Sequence, residues 1–200
     1  MGAIETMSPA ARERAPSGDE RRLALTRAAY RLIAARGFEG LRVRDVAADV
    51  GVNIATLHYY FPTKEGLIRA VVDHLVGRIV ATTTGGTGTA GERLRANLAR
   101  VRAYMRDDPD LFVVLSELLL RARRDAAIHA ALKPSQDDWR AYLRGLLAEG
   151  VARGEFRPDL DADGAALAIM AIFKGMTLQL DERALALSAI DAQLDRWLAD

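Results

Sequence analysis

The sequence predicts an all-α chain: an N-terminal three-helix head followed by a larger C-terminal helical body. Three observations predict it. Apolar residues recur at three- and four-residue spacing along most of the chain. Gly, Pro and short polar capping residues punctuate those stretches. The run "LFVVLSELLL", which could pass for a buried strand, continues into "RARRDAAIHAAL" and outgrows the roughly four to eight residues of an ordinary strand.

From Arg21 to Arg36, Leu25, Ala29, Leu32 and Ile33 share one helical stripe, and Gly37 stands where a C-cap glycine belongs. Phe38 returns to the core. A second helix runs from about Val43 to Val50 and ends at Gly51. A third opens after Asn53, a good N-cap side chain. It stops before Pro62, whose ring disfavours the helical state of its predecessor. Thr63 caps a long fourth helix, "KEGLIRAVVDHLVGRIVAT", with Leu67, Ile68, Val71, Leu75 and Ile79 on one side. Residues 82–91 read as a Thr/Gly linker, the best candidate for a domain boundary or an inter-helix loop. Further helices are expected near 92–106, 110–124, 134–153, 162–180 and 184–198, broken at Asp107-Asp108-Pro109, Lys133-Pro134 and "RGEFRPDLDADG". The expected organisation is a tail over 1–19, a head over 20–66 and a body over 67–200.

Half the residues are hydrophobic, yet no run of about 18 apolar residues indicates a membrane span. Residues 1–20 lack the apolar centre of a secretory signal. "MGAIET" matches a loose N-myristoylation pattern through Gly2 and Thr6, and also reads as a frayed tail. The absence of cysteine excludes disulfides, thiolate catalysis and cysteine-based metal sites. His58, His74 and His129 have no ligand spacing, so no metal is expected. No paired acid–base group, nucleophile constellation or cofactor motif appears, so neither an enzyme nor a cofactor is expected, and a cytoplasmic location fits. Gly86, Gly88 and Gly91 spell G-x-G-x-x-G with Asp107 and Asp108 downstream. Without strand–helix alternation they read as a loop. The net charge of +1 divides into +3 over residues 1–70 and −2 beyond, which permits a nucleic-acid partner for the first third without demanding one.

"GVNIATLHYYFPTKEGL" carries the densest chemistry. On the third helix Ile54, Leu57 and Phe61 share a side expected to be buried. Ala55, Thr56 and Tyr59 point away, flanked by His58 and Tyr60. Val46, Ala47, Val50, Gly51, Val52 and Leu57 have the spacing of a helix-turn-helix, with Gly51 at the turn and Ala47 at the close approach. Polar-tipped rings on the outer side can meet phosphate oxygens and base edges. The same residues also allow an ordinary helical hairpin whose aromatics pack on a neighbour.

The stretch "GFEGLRVRDVAADVGVNIATLHYYFPTKEGLIRAVVDHL" resembles the DNA-binding region of the TetR (tetracycline repressor-like) family of bacterial regulators, over about Arg21 to Leu75. Gly37-Phe38, Val46-Ala47, Gly51-Val52, Thr56-Leu57, Tyr60-Phe61, Lys64-Glu65 and Leu67 carry the likeness. It implies that Arg42, Arg44, Asn53, Ala55, Thr56, His58, Tyr59, Tyr60 and Lys64 contact double-stranded DNA at a palindromic operator, with Lys64 on the phosphate backbone. Arg42 stands where the family usually caps the second helix with Ser or Thr. His58-Tyr59-Tyr60 rearranges the more common Tyr-x-His/Tyr order. Arg21 and Arg22 either reach the DNA or form a solvated helix end.

"DPDLFVVLSELL" and "EGVARGEFRPDLDADGAALAIMAIFKGM" look like pieces of the family's ligand-binding and dimerising domain. The resemblance implies a dimeric repressor released by an unidentified small-molecule effector. An effector-independent activator or architectural protein is the alternative. Met105, Phe112, Leu115, Leu119, Trp139, Tyr142, Met170 and Phe173 are core candidates, of which a subset is expected to line a pocket. His74 either joins them or is a packed histidine. Glu117 is expected on a solvated face, paired with Arg121 at i,i+4. A homodimer is expected through the helices near 134–153 and 162–180, using Leu143, Leu146, Leu147, Gly150, Ala165, Ala168, Ile169 and Ile172.

Overall fold

Most helices begin where a side chain can take up the amides that a helix leaves free at its start. The computed structural model describes residues 17–83 and 86–176, with Ala192 and Arg196 beyond. Ser17 and Glu20 form a reciprocal capping box: the Glu20 N–H donates to Ser17 Oγ (3.2 Å) and the Ser17 N–H to Glu20 Oε2 (2.6 Å). Helix α1 (Gly18–Arg36) therefore starts earlier than apolar spacing predicts. After Gly37, at φ 67°, comes α2 (Val43–Val50). Gly51 ends it in the left-handed region (φ 70°, ψ 32°), donating to Ala48 O (3.1 Å) while Val52 donates to Ala47 O (2.9 Å). That pair of bonds is a Schellman motif, and it turns the chain sharply into the next helix.

Asn53 Oδ1 accepts the Thr56 N–H (2.7 Å) and opens α3 (Ile54–Tyr60). Thr63 Oγ1 accepts the Gly66 N–H (3.0 Å) and opens α4 (Lys64–Thr83). A second capping box, Thr89 with Glu92, starts α5 (Ala90–Asp107), so the glycine fingerprint lies in a loop and first turn that follow a helix rather than a strand. Asp108 caps α6 (Pro109–Ala122), with Pro109 at the first helical position where no amide is missed.

The next helix differs from expectation. Asp125 Oδ1 accepts from Ala127 (3.0 Å) and Ile128 (3.2 Å), so α7 (Ala126–Ala152) starts a full two turns before Pro134 and runs through it. Proline removes the bond to the carbonyl four residues back. That residue, Ala130, is on the solvent side, where water can serve the carbonyl. Last comes α8 (Ala162–Met176). The end of the expected 162–180 helix and nearly all of 184–198 lie outside the described residues; Ala192 and Arg196 are helical. Among the described residues there is no strand and no helix long and apolar enough to cross a membrane.

Two cores form. The first joins Leu25, Ile33, Val46, Leu57 and Phe61 of the head to Leu67 and Leu75 of α4 and to Val114, Leu118 and Leu132 of α6 and α7. The second gathers Leu94, Leu98, Leu143, Leu147, Ile169 and Phe173 in the body. Ile79 and Leu115 touch both. Leu143, Leu146, Leu147, Gly150 and Ile169, expected at a dimer interface, are therefore interior. A Cβ on Gly150 would overlap the Phe156 ring, which lies directly on α7. Glu117 likewise departs from the predicted solvated pair. It is half-buried beside Gly37 at the seam between head and body. Arg121 turns instead to Asp125 (3.8 Å), its guanidinium 5.3 Å from the Phe38 ring centre.

α7 ends in a second Schellman turn at Gly154, and this aims Glu155 at the start of α5. Its carboxylate accepts the Gly91 N–H (2.8 Å) and the Ala90 N–H (3.4 Å). The Gly91 amide is the first cause that holds the Glu155 carboxyl below its usual 4.5. A depressed folded-state value means stabilisation that is full above the unfolded value and lost as pH falls through the folded one. Glu155→Gln is expected to melt at a lower temperature than the parent at pH ~7 and to lose less on acidification below about pH 4.5. Identical melting curves across that range would contradict the contact.

Candidate nucleic-acid interface

Leu57 and Phe61, each 1% exposed, anchor α3 against the head. Arg22 of α1 lies over Phe61, its guanidinium carbon 4.5 Å from the ring centre, and donates from Nη1 to the Tyr60 carbonyl (3.0 Å). That bond satisfies an acceptor the short helix leaves open at its end. Arg22 is thus a clamp on α3. Arg31–Asp49 and Arg36–Asp45 (3.2 Å) tie α2 to α1 across the surface. Exposed pairs of this kind are worth about 0–1 kcal/mol each.

With its inner side held, α3 presents the other to solvent. Tyr59 is 80% exposed, and Ala55 and His58 are open beside it. Thr56 is half-buried, its amide taken by Asn53. Tyr60 is half-buried, edge-on to Tyr59 (centroids 5.1 Å apart, 88° between planes), with its hydroxyl over Gly18 at the start of α1. Ile54 departs from expectation: it is 48% exposed. It stands about 60° round the helix from Leu57, and as the first helical residue it has no preceding turn to cover it. The exposed face therefore gains an aliphatic group that the stripe argument assigned to the core.

Three cations lie on the elements that flank α3 in the chain. Arg42 is the N-cap residue of α2 without any side-chain capping bond, so its exposed guanidinium is not committed to the helix start. Arg44 is exposed, 3.6 Å from Asp45. Lys64, half-buried, is the first residue of α4.

Behind the head, one carboxylate joins three helices. Asp108 Oδ1 accepts the Leu111 N–H of α6 (3.2 Å) and the Tyr30 hydroxyl of α1 (3.4 Å); Oδ2 accepts from Arg78 of α4. Burial first, then Asp108, pushes the Tyr30 phenol well above its ordinary range. His74 packs edge-on against Tyr30 (6.0 Å, 84°), and its pKa is lowered by burial, then by Arg78 and Arg27. The structure therefore places His74 at the head–body joint.

An apolar cavity of about 70 Å³ opens beside the joint. Of the residues expected to line a pocket, Phe112, Leu115, Leu119, Trp139 and Phe173 do so. Met105 and Met170 are buried in the body core, Tyr142 is packed at its margin, and none of these three reaches the cavity wall, nor does His74. Arg78, Ser135, Gln136 and Lys174 also line it and were not anticipated. A sequence signal existed for one: Lys174 is the only charge in "GAALAIMAIFKGM". Among the described residues no group of three or more His, Asp or Glu could hold a metal ion.

Comparison with known proteins agrees with this architecture at both ends. Residues 25–71 match the model for bacterial regulatory proteins of the tetR family, and residues 90–190 match a tetracyclin repressor-like C-terminal domain. The chain is similar to the transcriptional regulator EthR of Mycolicibacterium smegmatis, 36% identical over 77 residues, which is 38% of this chain and only 36% of that protein. It is similar to the transcriptional repressor KstR2 of the same organism at 27% identity, over 72% of this chain and 71% of the relative. Among solved structures, a putative TetR-family regulator from Rhodococcus sp. superposes with a TM-score of 0.76 at 26% identity, covering 89% of this chain and 98% of that one.

Proposed function

The chain belongs to the TetR family of bacterial regulatory proteins, and from that premise we propose that it is a homodimeric repressor, released from a palindromic operator when a small molecule fills the body cavity. The observation that carries this reading is the outer face of α3. It combines an aromatic hydroxyl at Tyr59, an imidazole at His58 and small apolar groups at Ile54 and Ala55, on a helix held from behind by Leu57, Phe61 and Arg22. Hydroxyls and rings of this kind meet phosphate oxygens, base-edge acceptors and the thymine methyl in a major groove. Lys64, the first residue of α4, takes a backbone phosphate beside the same groove in this reading. Arg42 and Arg44 add phosphate contacts from α2. Such a protein works where the chromosome is, in the cytoplasm, and turns over no substrate.

Two reading helices need a two-fold partner. The exposed sides of α7 and α8 are lined with small residues: Ala141, Gly145 and Ala148 on one, Gly164, Ala168, Ala171 and Gly175 on the other, with Leu167 standing 45% exposed among them. Small residues allow close helix approach, and an isologous pair of such faces supports a dimer whose geometry sets half-site spacing. The proposed interface keeps the predicted helices but uses their outer stripes.

Release follows from α4. Arg78 lines the cavity and holds Asp108, which also holds Tyr30 of α1. A ligand that displaces Arg78 alters the seat of the head. It must bind the released state more tightly, since equal affinity for both states shifts nothing.

Two outcomes test the reading. Tyr59→Ala is expected to weaken binding to the selected operator by about 1–3 kcal/mol while barely affecting random duplex, whereas Lys64→Ala weakens both alike and reduces the salt slope by about one unit. Titrations at matched salt check this, and operator binding that is unchanged in Tyr59→Ala contradicts the assignment. Leu167→Glu is expected to sediment as a monomer at concentrations where the parent is a dimer; a persistent dimer places the interface elsewhere.

A further inference from the structure

Ile54 stands 48% exposed as the first residue of α3, with Ala55 exposed beside it, while Leu57 and Phe61 are 1% exposed. Scattered aliphatic groups are ordinary on protein surfaces. Ile54 is set apart by its position. A reading helix laid in a major groove touches base edges with its N-terminal residues, and Ile54 opens this one. The polar groups at that end are engaged within the helix: Asn53 Oδ1 accepts the Thr56 N–H (2.7 Å), and Thr56 is half-buried. One turn on, His58 and Tyr59 lie four residues from Ile54 and Ala55, on the same sides of the helix. The outer face of α3 is therefore divided along its length, hydrocarbon at the start and polar-tipped rings towards the end.

We propose, taking α3 as the DNA-reading helix, that Ile54 is a specificity-determining residue: it selects a thymine in each half-site of the operator through the 5-methyl group of that base. In the major groove guanine shows N7 and O6, adenine N7 and N6, and cytosine N4, whereas thymine adds a methyl group to its O4. An aliphatic side chain pressed on N7, O6 or N4 takes water from a polar group and returns no hydrogen bond. Pressed on the methyl, it removes apolar surface from water on both partners. Discrimination therefore comes from attraction to one base and from the cost of the others. Ala55, small and exposed, leaves room for the helix to approach the base edge closely. The inner anchors Leu57 and Phe61 hold the first turn at a fixed angle, so Ile54 meets the same base pair in each complex.

The test uses the full chain and an operator selected from random duplex. Each thymidine is replaced in turn by deoxyuridine, which removes the methyl and keeps O4. It is also replaced by 5-methyldeoxycytidine opposite guanine, which keeps the methyl and removes O4, with deoxycytidine as the unmethylated control. At one thymine the parent is expected to lose about fourfold in affinity per half-site with deoxyuridine, the equivalent of about 0.8 kcal/mol for one buried methyl-sized group. There 5-methyldeoxycytidine is expected to bind more tightly than deoxycytidine by a similar factor. Ile54→Ala is expected to melt like the parent, to bind the thymine and uracil duplexes nearly alike at that position, and to keep the parent's sensitivity elsewhere. Ile54→Gln, whose amide can pair with adenine N6 and N7, is expected to select a different base at that position alone. Indifference of the parent to the methyl at every thymine, a methyl effect undiminished in Ile54→Ala, or an unchanged selected sequence for Ile54→Gln overturns the proposal. Specific binding that ignores the methyl refutes this contact and leaves the regulatory reading standing; no sequence preference at all refutes both.

Discussion

Asp108 receives Tyr30 of α1 and the Leu111 amide of α6 on one oxygen and Arg78 of α4 on the other. Beside it runs the hydrophobic seam of head and body, through Val114, Leu118 and Leu132. Apolar contact of that kind fixes proximity and is tolerant of small slides, whereas a carboxylate with three donors fixes direction. The three donors come from three helices, one of them lining the cavity. A change at Arg78 therefore reaches α1 through two bonds, without any need for a longer chain of contacts.

On the reading proposed here, the outer face of α3 shows how a protein with a net charge of only +1 can be built for a polyanion. Rigid rings with polar tips lose little conformational freedom on binding, and α3 is held in place before DNA arrives. Leu57 and Phe61 supply the apolar hold, Arg22 closes the C-terminal end, and Asn53 closes the N-terminal end. Gly51 sets the angle between α2 and α3, because a left-handed turn there strains any residue with a Cβ. On the proposed reading, charge is then needed only at the margins, from Arg42, Arg44 and Lys64.

The head was legible in the sequence because its signals are local. Gly37, Gly51, Asn53 and Thr63 each act on the turn they stand in, and the structure uses each for the role its residue type suggests. Ile54 escaped because a stripe says which residues share a side and not where the covering neighbour ends. The body was harder for the same reason. α8 is apolar or small nearly all round, and on α7 small residues stand beside the leucines, so periodicity does not separate the inner stripe of Leu143, Leu147 and Ile169 from the outer one of Ala141, Gly145 and Ala168. Pro134 suggests a break by residue type, whereas an exposed helix face tolerates it. The Asp125 cap starts α7 earlier than the apolar spacing suggests. Long-range partners such as Tyr30 with Asp108, or Lys174 with Gln136, leave no trace in spacing at all.

The joint itself is open to direct measurement. A double-mutant cycle pairs Tyr30→Phe, which keeps the ring and removes the hydroxyl, with Asp108→Asn, which keeps the shape and removes the charge. Unfolding free energies of the parent, both single variants and the double variant give the coupling between the two groups. The account predicts a coupling of at least about 0.5 kcal/mol, in the sense that the second substitution costs less once the first is made. Additive effects would mean that head and body meet only through apolar packing, and that a signal at Arg78 has no polar route to the DNA-reading helices.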